Sequence, residues 1–405
     1  MKKAVKQFIK VWKFTVLLFL IVLTFSYAMF QGGFVSWFLF YSFLPFALYC
    51  LVLSFYSLKD LTVTREISKS DYNAGEHMTV KITVRRNSSF PLFYLMTGDH
   101  LTESMNLLPL KTNSKALLIA GMKKELSYEY TIDELPRGEH FFQSITVRIG
   151  DPLGLLEKEK AFDLENKIMV YPAYTELLYR PFENHYDQGM TASRERVQRD
   201  TSMAIGVREY QPGDRFSWIN WKASAKRNEI MTKEFEQRQS HDVFVVMDCV
   251  SDQHFESIVS FTASLLRAVL TKGAQAGLLT ISNERTTFPI RGGEQHHQQL
   301  LYHLAKIEAK SFAPLEKVLE TDGLFFQQTL SFMLVTSRLT KQLIEKASFL
   351  GQRKGSITIF FIKAEKELPT EKERSLIAVA NARGVRIVMI HEGDFAQAFS
   401  EVNFN

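Results

Sequence analysis

Val243-Phe-Val-Val-Met-Asp248 places five apolar residues in a row and then stops at a carboxylate. A strand with no polar residue at alternate positions has both faces covered, as happens inside an α/β sheet. Further runs of this kind lie at Gly277 to Ile281, Phe332 to Val335, Ile357 to Ile362 and Val385 to Ile390. Helical periods separate them. Phe255, Ile258, Val259, Leu265, Leu266, Val269 and Leu270 recur at three and four, and Thr370 to Glu373 forms a capping box just after Pro369. Residues 241–405 are therefore expected to form an α/β domain with a doubly wound parallel sheet, its functional edge at the carboxyl ends of the strands. Asp248 stands at that edge.

Towards the N-terminus, residues 176–240 form a connecting segment, rich from Asp200 to Glu236 in charges of both signs, the usual mark of a solvated surface. Before it, residues 60–175 alternate apolar with polar, as in Leu61-Thr-Val-Thr-Arg-Glu-Ile67 and Met78-Thr-Val-Lys-Ile-Thr-Val84. Similar runs lie around Phe93 to Leu95, Ala116 to Ile119, Leu126 to Ile132 and Phe141 to Ile149. With turn-forming clusters between them and no helical period, they predict an antiparallel β sandwich of immunoglobulin-like type. Ile149-Gly-Asp-Pro-Leu-Gly-Leu155 is expected to be a turn leaving the last long strand.

Residues 1–58 are different again. From Phe14 to Leu58 there is no Asp, Glu, Lys or Arg, and about 20 helical residues suffice to cross a bilayer. Gln31, Gly32 and Gly33 divide this stretch into two transmembrane helices, about 14–30 and 34–58, with Trp12 and Trp37 suited to the interfaces. Five lysines precede the hairpin, Lys59 and Arg65 come after it, and the turn is uncharged. The positive-inside tendency then puts both termini and the soluble domains in the cytoplasm. The competing reading is a cleaved signal peptide, with Ser26 and Ala28 as the small-x-small pair; Phe34 to Leu58 would still halt transfer. Cys50 lies in the anchor and Cys249 far downstream, which is no disulfide framework and suits a reducing compartment.

The net charge of +5 among 405 residues resides in the five leading lysines; setting them aside leaves 44 bases against 44 acids. A balanced body has no global field to draw nucleic acid. A mean hydropathy of −0.09 excludes a polytopic transporter, and 46% hydrophobic residues exclude disorder.

Gly206-Val-Arg-Glu-Tyr-Gln-Pro-Gly-Asp-Arg-Phe-Ser-Trp-Ile-Asn-Trp-Lys-Ala-Ser-Ala-Lys226, with the strand ending in Asp248 soon after it, resembles the signature of the bacterial domain of unknown function 58 family. The resemblance implies two N-terminal transmembrane helices, a β-rich middle and a C-terminal domain like von Willebrand factor type A. One departure is visible. Where the family usually carries Arg two residues before Ile, this chain has Ser217, with Arg215 two positions earlier. Members are often encoded near MoxR-type AAA ATPases and transglutaminase-like membrane proteins, which implies a tethered adaptor assisting assembly of envelope proteins. The resemblance supplies no catalytic residue.

A type A domain can hold Mg²⁺ through Asp-x-Ser-x-Ser with a distant Thr and Asp. Here Asp248-Cys-Val-Ser-Asp252 puts Val250 and Asp252 at the serine positions, so Asp248, Ser251 and Asp252 form at most a degraded site, and no cofactor is expected. The partner-binding candidates are Arg208, Tyr210, Pro212, Gly213, Asp214, Arg215, Trp218, Trp221 and Lys222, a mixture of aromatics and cations like that of interface hot spots. Pro212-Gly213 suits a type II turn, with Asp214 capping the next turn. The same aromatics could instead be buried as satellite core. His296, His297 and His303 cannot share one zinc and are expected to be solvated, and Cys249 is expected to be a buried thiol. No P-loop, zinc-protease or Gly-x-Ser-x-Gly motif occurs, and the expectation is not an enzyme but a membrane-anchored protein-interaction module. Metal-dependent ligand binding at Asp248 is the alternative.

Overall fold

The computed structural model describes residues 2–101, 114–152, 154, 156–180, 197–211, 214–239, 242–311, 313–321, 331–354 and 356–399. They fall into two compact units, divided along the chain between Tyr171 and Pro172.

The first unit opens with helices α1 (Lys2–Gln31) and α2 (Phe34–Phe55). Gly32 and Gly33 turn the chain between them with φ of +60° and +89°, a region that glycine enters without a Cβ clash. Leu17 of α1 then meets Ala47 and Cys50 of α2, and Phe25 meets Trp37 and Phe40 edge-on, so the helices fold back on each other. Phe14–Gln31 and Phe34–Phe55 are each long and apolar enough to cross a membrane. The second helix ends at Phe55, three residues short of the expected boundary, and Leu58–Asp60 forms a single 3₁₀ turn.

Eight strands come next: β1 (Leu61–Ile67), β2 (Asp71–Asn73), β3 (Met78–Arg86), β4 (Tyr94–Leu101), β5 (Lys115–Leu118), β6 (Glu125–Ile132), β7 (Gly138–Gly150) and β8 (Glu157–Tyr171). They form sheets of order β1-β3-β6 and β2-β8-β7-β4-β5, whose inward side chains share one core. Pairing is antiparallel except between β2 and β8, which run parallel. The turn at Asp151 does not leave the last strand, because β8 lies beyond it. Glu-Lys-Glu-Lys at the start of β8 carries charge at every position, so no apolar alternation announces that strand.

A polar cluster crosses this core. Arg65 and Asp99, with side chains 0% exposed, form a two-pronged ion pair at 2.5 and 3.0 Å. The guanidinium also donates to the Leu164 carbonyl and to Asn166 Oδ1, while the Tyr130 hydroxyl donates to Asp99. Burial and the adjacent carboxylate push the Tyr130 hydroxyl pKa up, so it stays a donor.

The second unit contains the hairpin β9 (Val197–Glu209) and β10 (Met231–Gln239), with helix α3 (Trp221–Arg227) between them. After it come β11 (Val243–Met247), α4 (Phe255–Thr271), β12 (Ala276–Ile281), β13 (Arg285–Arg291), α5 (Glu294–Lys306), α6 (Leu315–Thr321), β14 (Ser331–Thr336), α7 (Lys341–Lys354), β15 (Ile357–Lys363), α8 (Glu371–Ala382) and β16 (Arg386–His391). The sheet has the order β13-β12-β11-β14-β15-β16. Its strands are parallel except for β13, which lies antiparallel on the edge and carries Pro289. A proline there breaks the strand signal but is tolerated where one side of the ladder is unpaired.

Alternate residues of β11 go to opposite faces. Val243, Val245 and Met247 join a cluster with α4 and α5, while Phe244 and Val246 join one with α6, α7 and α8. The capping box of α8 is formed, with Thr370 and Glu373 each accepting from the other's backbone N–H. The histidines of α5 correct the expectation of solvation. His296 donates to the Ala276 carbonyl at 2.9 Å, His303 lies 2.8 Å from the Thr280 hydroxyl, and His297 is buried beside them. Desolvation lowers the pKa of His297 and His303.

Removing one member of a buried ion pair strands the other in the core, at a cost of about 3–5 kcal/mol. Arg65→Ala should therefore strip amide-exchange protection from β1, β3 and β6 in the full chain. Arg65→Met with Asp99→Leu should recover part of it. Unchanged protection in Arg65→Ala would show that the pair does not hold the sheets together.

Candidate functional site

The chain leaves β11 towards β12 on one side and later returns to β14 on the other, so the strand order reverses between β11 and β14. In open α/β sheets that crevice, at the carboxyl ends of the strands, is where ligands bind. Asp248 and Thr336 face each other there. Asp248 Oδ2 accepts the Thr336 hydroxyl at 2.8 Å, and Oδ1 accepts the Val250 N–H at 3.1 Å. Asp252 accepts the Ser337 hydroxyl at 2.5 Å and the Gln253 N–H at 2.6 Å, with Arg338 Nε at 3.9 Å. Ser251 is exposed. Burial raises the Asp248 carboxyl pKa, only partly offset by the Val250 N–H and Thr336.

This donor set fits a hard divalent cation poorly. Mg²⁺ wants oxygen ligands in near-octahedral array, but Val250 offers none, the carboxylates already take two hydroxyl hydrogens, and Arg338 brings a positive charge. Among the described residues no three His, Cys, Asp or Glu side chains gather to hold a metal ion. Cys249 is buried, its thiol directed at the Met247 carbonyl at 3.6 Å.

The same edge carries a second polar cluster that the sequence reading missed. Lys363, at the end of β15, reaches Glu367 at 2.7 Å and Glu373 at 2.9 Å. His254 lies 3.3 Å from the other Glu367 oxygen, and His391 lies 3.1 Å from the Glu367 carbonyl. Burial alone would lower the Lys363 pKa, but the two carboxylates more than offset it and hold the ammonium charged. The available signal was Lys363 terminating an apolar run, just as Asp248 terminates the first.

The aromatic and cationic residues gather in the β9–β10 connection. Tyr210 N–H donates to the Ile230 carbonyl and Asn220 N–H to the Met231 carbonyl, closing the base of the loop at 2.9 and 2.8 Å. Asn220 caps α3 by accepting the Ala223 N–H, and Ser224 bridges the Asn220 carbonyl and the Met231 N–H. Asn228, with φ of +59°, ends the helix in the left-handed region. Asp214 does not cap the turn after it; it pairs with Arg208 at 2.7 Å and accepts the Gln211 N–H behind it at 3.0 Å. That guanidinium and the Gln211 N–H hold its carboxyl below the usual range. Arg215 lies over the Trp218 ring at 5.4 Å, and Tyr210 stacks on Phe216 at 6.4 Å. Pro212 and Gly213 lie outside the described residues. Tyr210 and Trp218 are half-buried and Lys222 is exposed. Phe216 is 77% exposed and Trp221 69%, whereas Ile219 and Met231 supply the local core.

An apolar helical hairpin, a two-sheet β unit and a mostly parallel α/β unit thus succeed one another along the chain. A family model described as a protein of unknown function, DUF58, matches residues 206–401. The uncharacterized protein YeaD of Bacillus subtilis (strain 168) is 38% identical over 384 residues, covering 94% of this chain and 96% of its own. The chain belongs to the DUF58 family. Among solved structures, the SpRpn10 VWA domain is similar at 13% identity and a TM-score of 0.30, covering 38% of this chain and 88% of its own. The conserved hypothetical protein BatB from Bacteroides thetaiotaomicron is similar at 11% identity and 0.29, covering 40% and 99%.

The raised Asp248 pKa makes stability depend on pH. Ionising the carboxyl costs the folded state more than the unfolded one, whose Asp pKa is about 3.9. The penalty is absent below that pH, grows as pH rises through the folded value, and is complete above it. Asp248→Asn, whose amide can keep both local bonds, should raise Tm at neutral pH, with the gain fading towards pH of about 4. Millimolar Mg²⁺ should shift neither protein; a Mg²⁺-dependent rise in the wild type alone would establish a metal site.

Proposed function

We propose that this protein is a membrane-anchored interaction module and not an enzyme. In this reading α1 and α2 cross the cytoplasmic membrane of a bacterial cell, and both soluble units face the cytoplasm. The β unit is then an immunoglobulin-like sandwich, and the α/β unit a doubly wound, type A-like domain that presents the β9–β10 connection to a partner. The partner of choice is a MoxR-type AAA ATPase, with a transglutaminase-like membrane protein as a further member of an envelope-assembly complex.

The observation that supports this most is the pair of exposed aromatics on a locked backbone. Phe216 and Trp221 project from a segment whose turns are fixed by the Arg208–Asp214 pair, the Asn220 cap and the Ser224 bridge. Large apolar groups held rigidly in water lose little entropy on docking, and tryptophan with neighbouring arginine is typical of hot spots. The hairpin adds effective concentration, because a partner at the same membrane is captured locally.

Binding of a purified MoxR-type ATPase to the full chain in nanodiscs tests the docking surface. Trp221→Ala and Phe216→Ala should each weaken binding by about tenfold or more, the range of a hot spot, with Tm unchanged because both rings are exposed. Unaltered affinity in both variants would remove this surface from the reading. Topology is tested separately: an impermeant label applied outside sealed cells should leave every residue beyond Lys59 unmodified.

A further inference from the structure

We propose that the apolar groove at the foot of α2 is a lipid-binding surface that seats the β unit in the headgroup boundary of the bilayer. This rests on α1 and α2 being the membrane hairpin.

Along β5 and just past it, the outward positions run Lys115, Leu117, Ile119, from charged to apolar over about 13 Å at the usual strand rise. Met96 faces Leu117 from β4, and Phe93 lies just before that strand. Leu117, Ile119, Met96 and Phe93, together with Tyr49 of α2, wall an open groove of about 570 Å³. Ile119 is 81% exposed, Met122 72% and Phe93 58%. A contiguous apolar surface of this kind is costly in water and marks an interaction site. The outer face of the opposite sheet is ordinary by comparison, with Thr62, Thr64, Glu66, Lys81 and Glu129 turned to solvent.

The groove joins the membrane helix directly. The Tyr49 hydroxyl accepts the Phe93 N–H at 3.1 Å, and its ring stacks on Phe90 at 5.8 Å. Tyr49 stands six residues before the end of α2, about 9 Å along the axis. A helix of 22 residues has little length beyond the roughly 20 needed to span the hydrocarbon. The Phe93 end of the groove therefore lies at the depth of the last turns of the helix, where acyl chains give way to headgroups.

Arg86 makes the surface rigid. Its buried guanidinium donates to the carbonyls of Phe90, Gly121 and Lys123, and Leu92 and Gly121 exchange backbone bonds at 2.8 and 3.0 Å. Both apolar lips are thus held by one always-charged residue. Lys123 and Lys124, exposed immediately after Met122, and Lys59 after α2 supply cations suited to anionic headgroups.

The test uses the full chain in nanodiscs of phosphatidylcholine and phosphatidylglycerol, with Cys50 and Cys249 replaced by serine. Single spin labels are placed at Ile119→Cys and Met122→Cys, at Leu39→Cys in the second turn of α2, and at Lys81→Cys on the opposite sheet. The oxygen-to-nickel collision ratio at 119 and 122 should match the lipid-exposed label at 39 and exceed that at 81 several-fold. Water-like ratios at 119 and 122 with lipid-like values at 39 would overturn the proposal and leave the hairpin intact. A water-like value at 39 would remove the hairpin and the proposal with it. Labels at 119 and 122 shielded from both reagents would mean that protein, not lipid, covers the groove, which overturns the proposal as well.

Discussion

The last carbonyls of α2 have no donors within the helix, and an orphaned carbonyl shut away from water is expensive. Lys158 of β8 meets this need, its ammonium donating to the Ser54 and Tyr56 carbonyls at 2.7 and 2.6 Å, while Lys160 reaches the Leu58 carbonyl. A cation at a helix C-terminus also complements the macrodipole. Cys50 donates to Asp151, and Leu53 is buried in the β core, so the hairpin and the β unit pack as one body. That anchorage fixes where Phe93 and Ile119 sit relative to α2.

The α/β unit is organised by a different constraint. Its central strand buries residues on both faces, and polar side chains are therefore displaced to the strand ends. Asp248, Thr336, Lys363 and His391 all occupy such ends. Their partners come from loops and neighbouring helices, which turns the carboxyl edge into a closed set of carboxylate, hydroxyl and ammonium contacts. Charge is concentrated here but largely satisfied internally, whereas Phe216 and Trp221 of the β9–β10 connection stand in water. The proposed docking surface rests on that contrast.

Much of the architecture was legible because both periodicities were clean. Continuous runs such as Val243 to Met247 and alternating runs such as Leu61 to Ile67 reflect burial on two faces or one. β8 and β13 escaped because charges at consecutive positions, or Pro289, erase the alternation. At the site, the loop motif was visible but its wiring was not. Nothing in the order Arg208, Asp214, Arg215 says which arginine takes the acid, because that depends on how β9 brings residue 208 across the turn. The histidines of α5 were misjudged for a related reason: a polar side chain beside an apolar stripe can turn inward when a strand carbonyl is there to receive it.

Arg65 has a further consequence for biosynthesis. It belongs to the first strand after the hairpin, yet one of its hydrogen-bond acceptors, the carbonyl of Leu164, is 99 residues downstream. A guanidinium cannot shed its charge, so β1 has no fully paired interior until β8 has been made. At about 5–20 residues per second, ribosomes need roughly 5 to 20 s to cover that distance. During this interval the hairpin has already emerged while the sheets behind it remain unclosed, and the nascent chain depends on the completion of β8 to seal its inner faces.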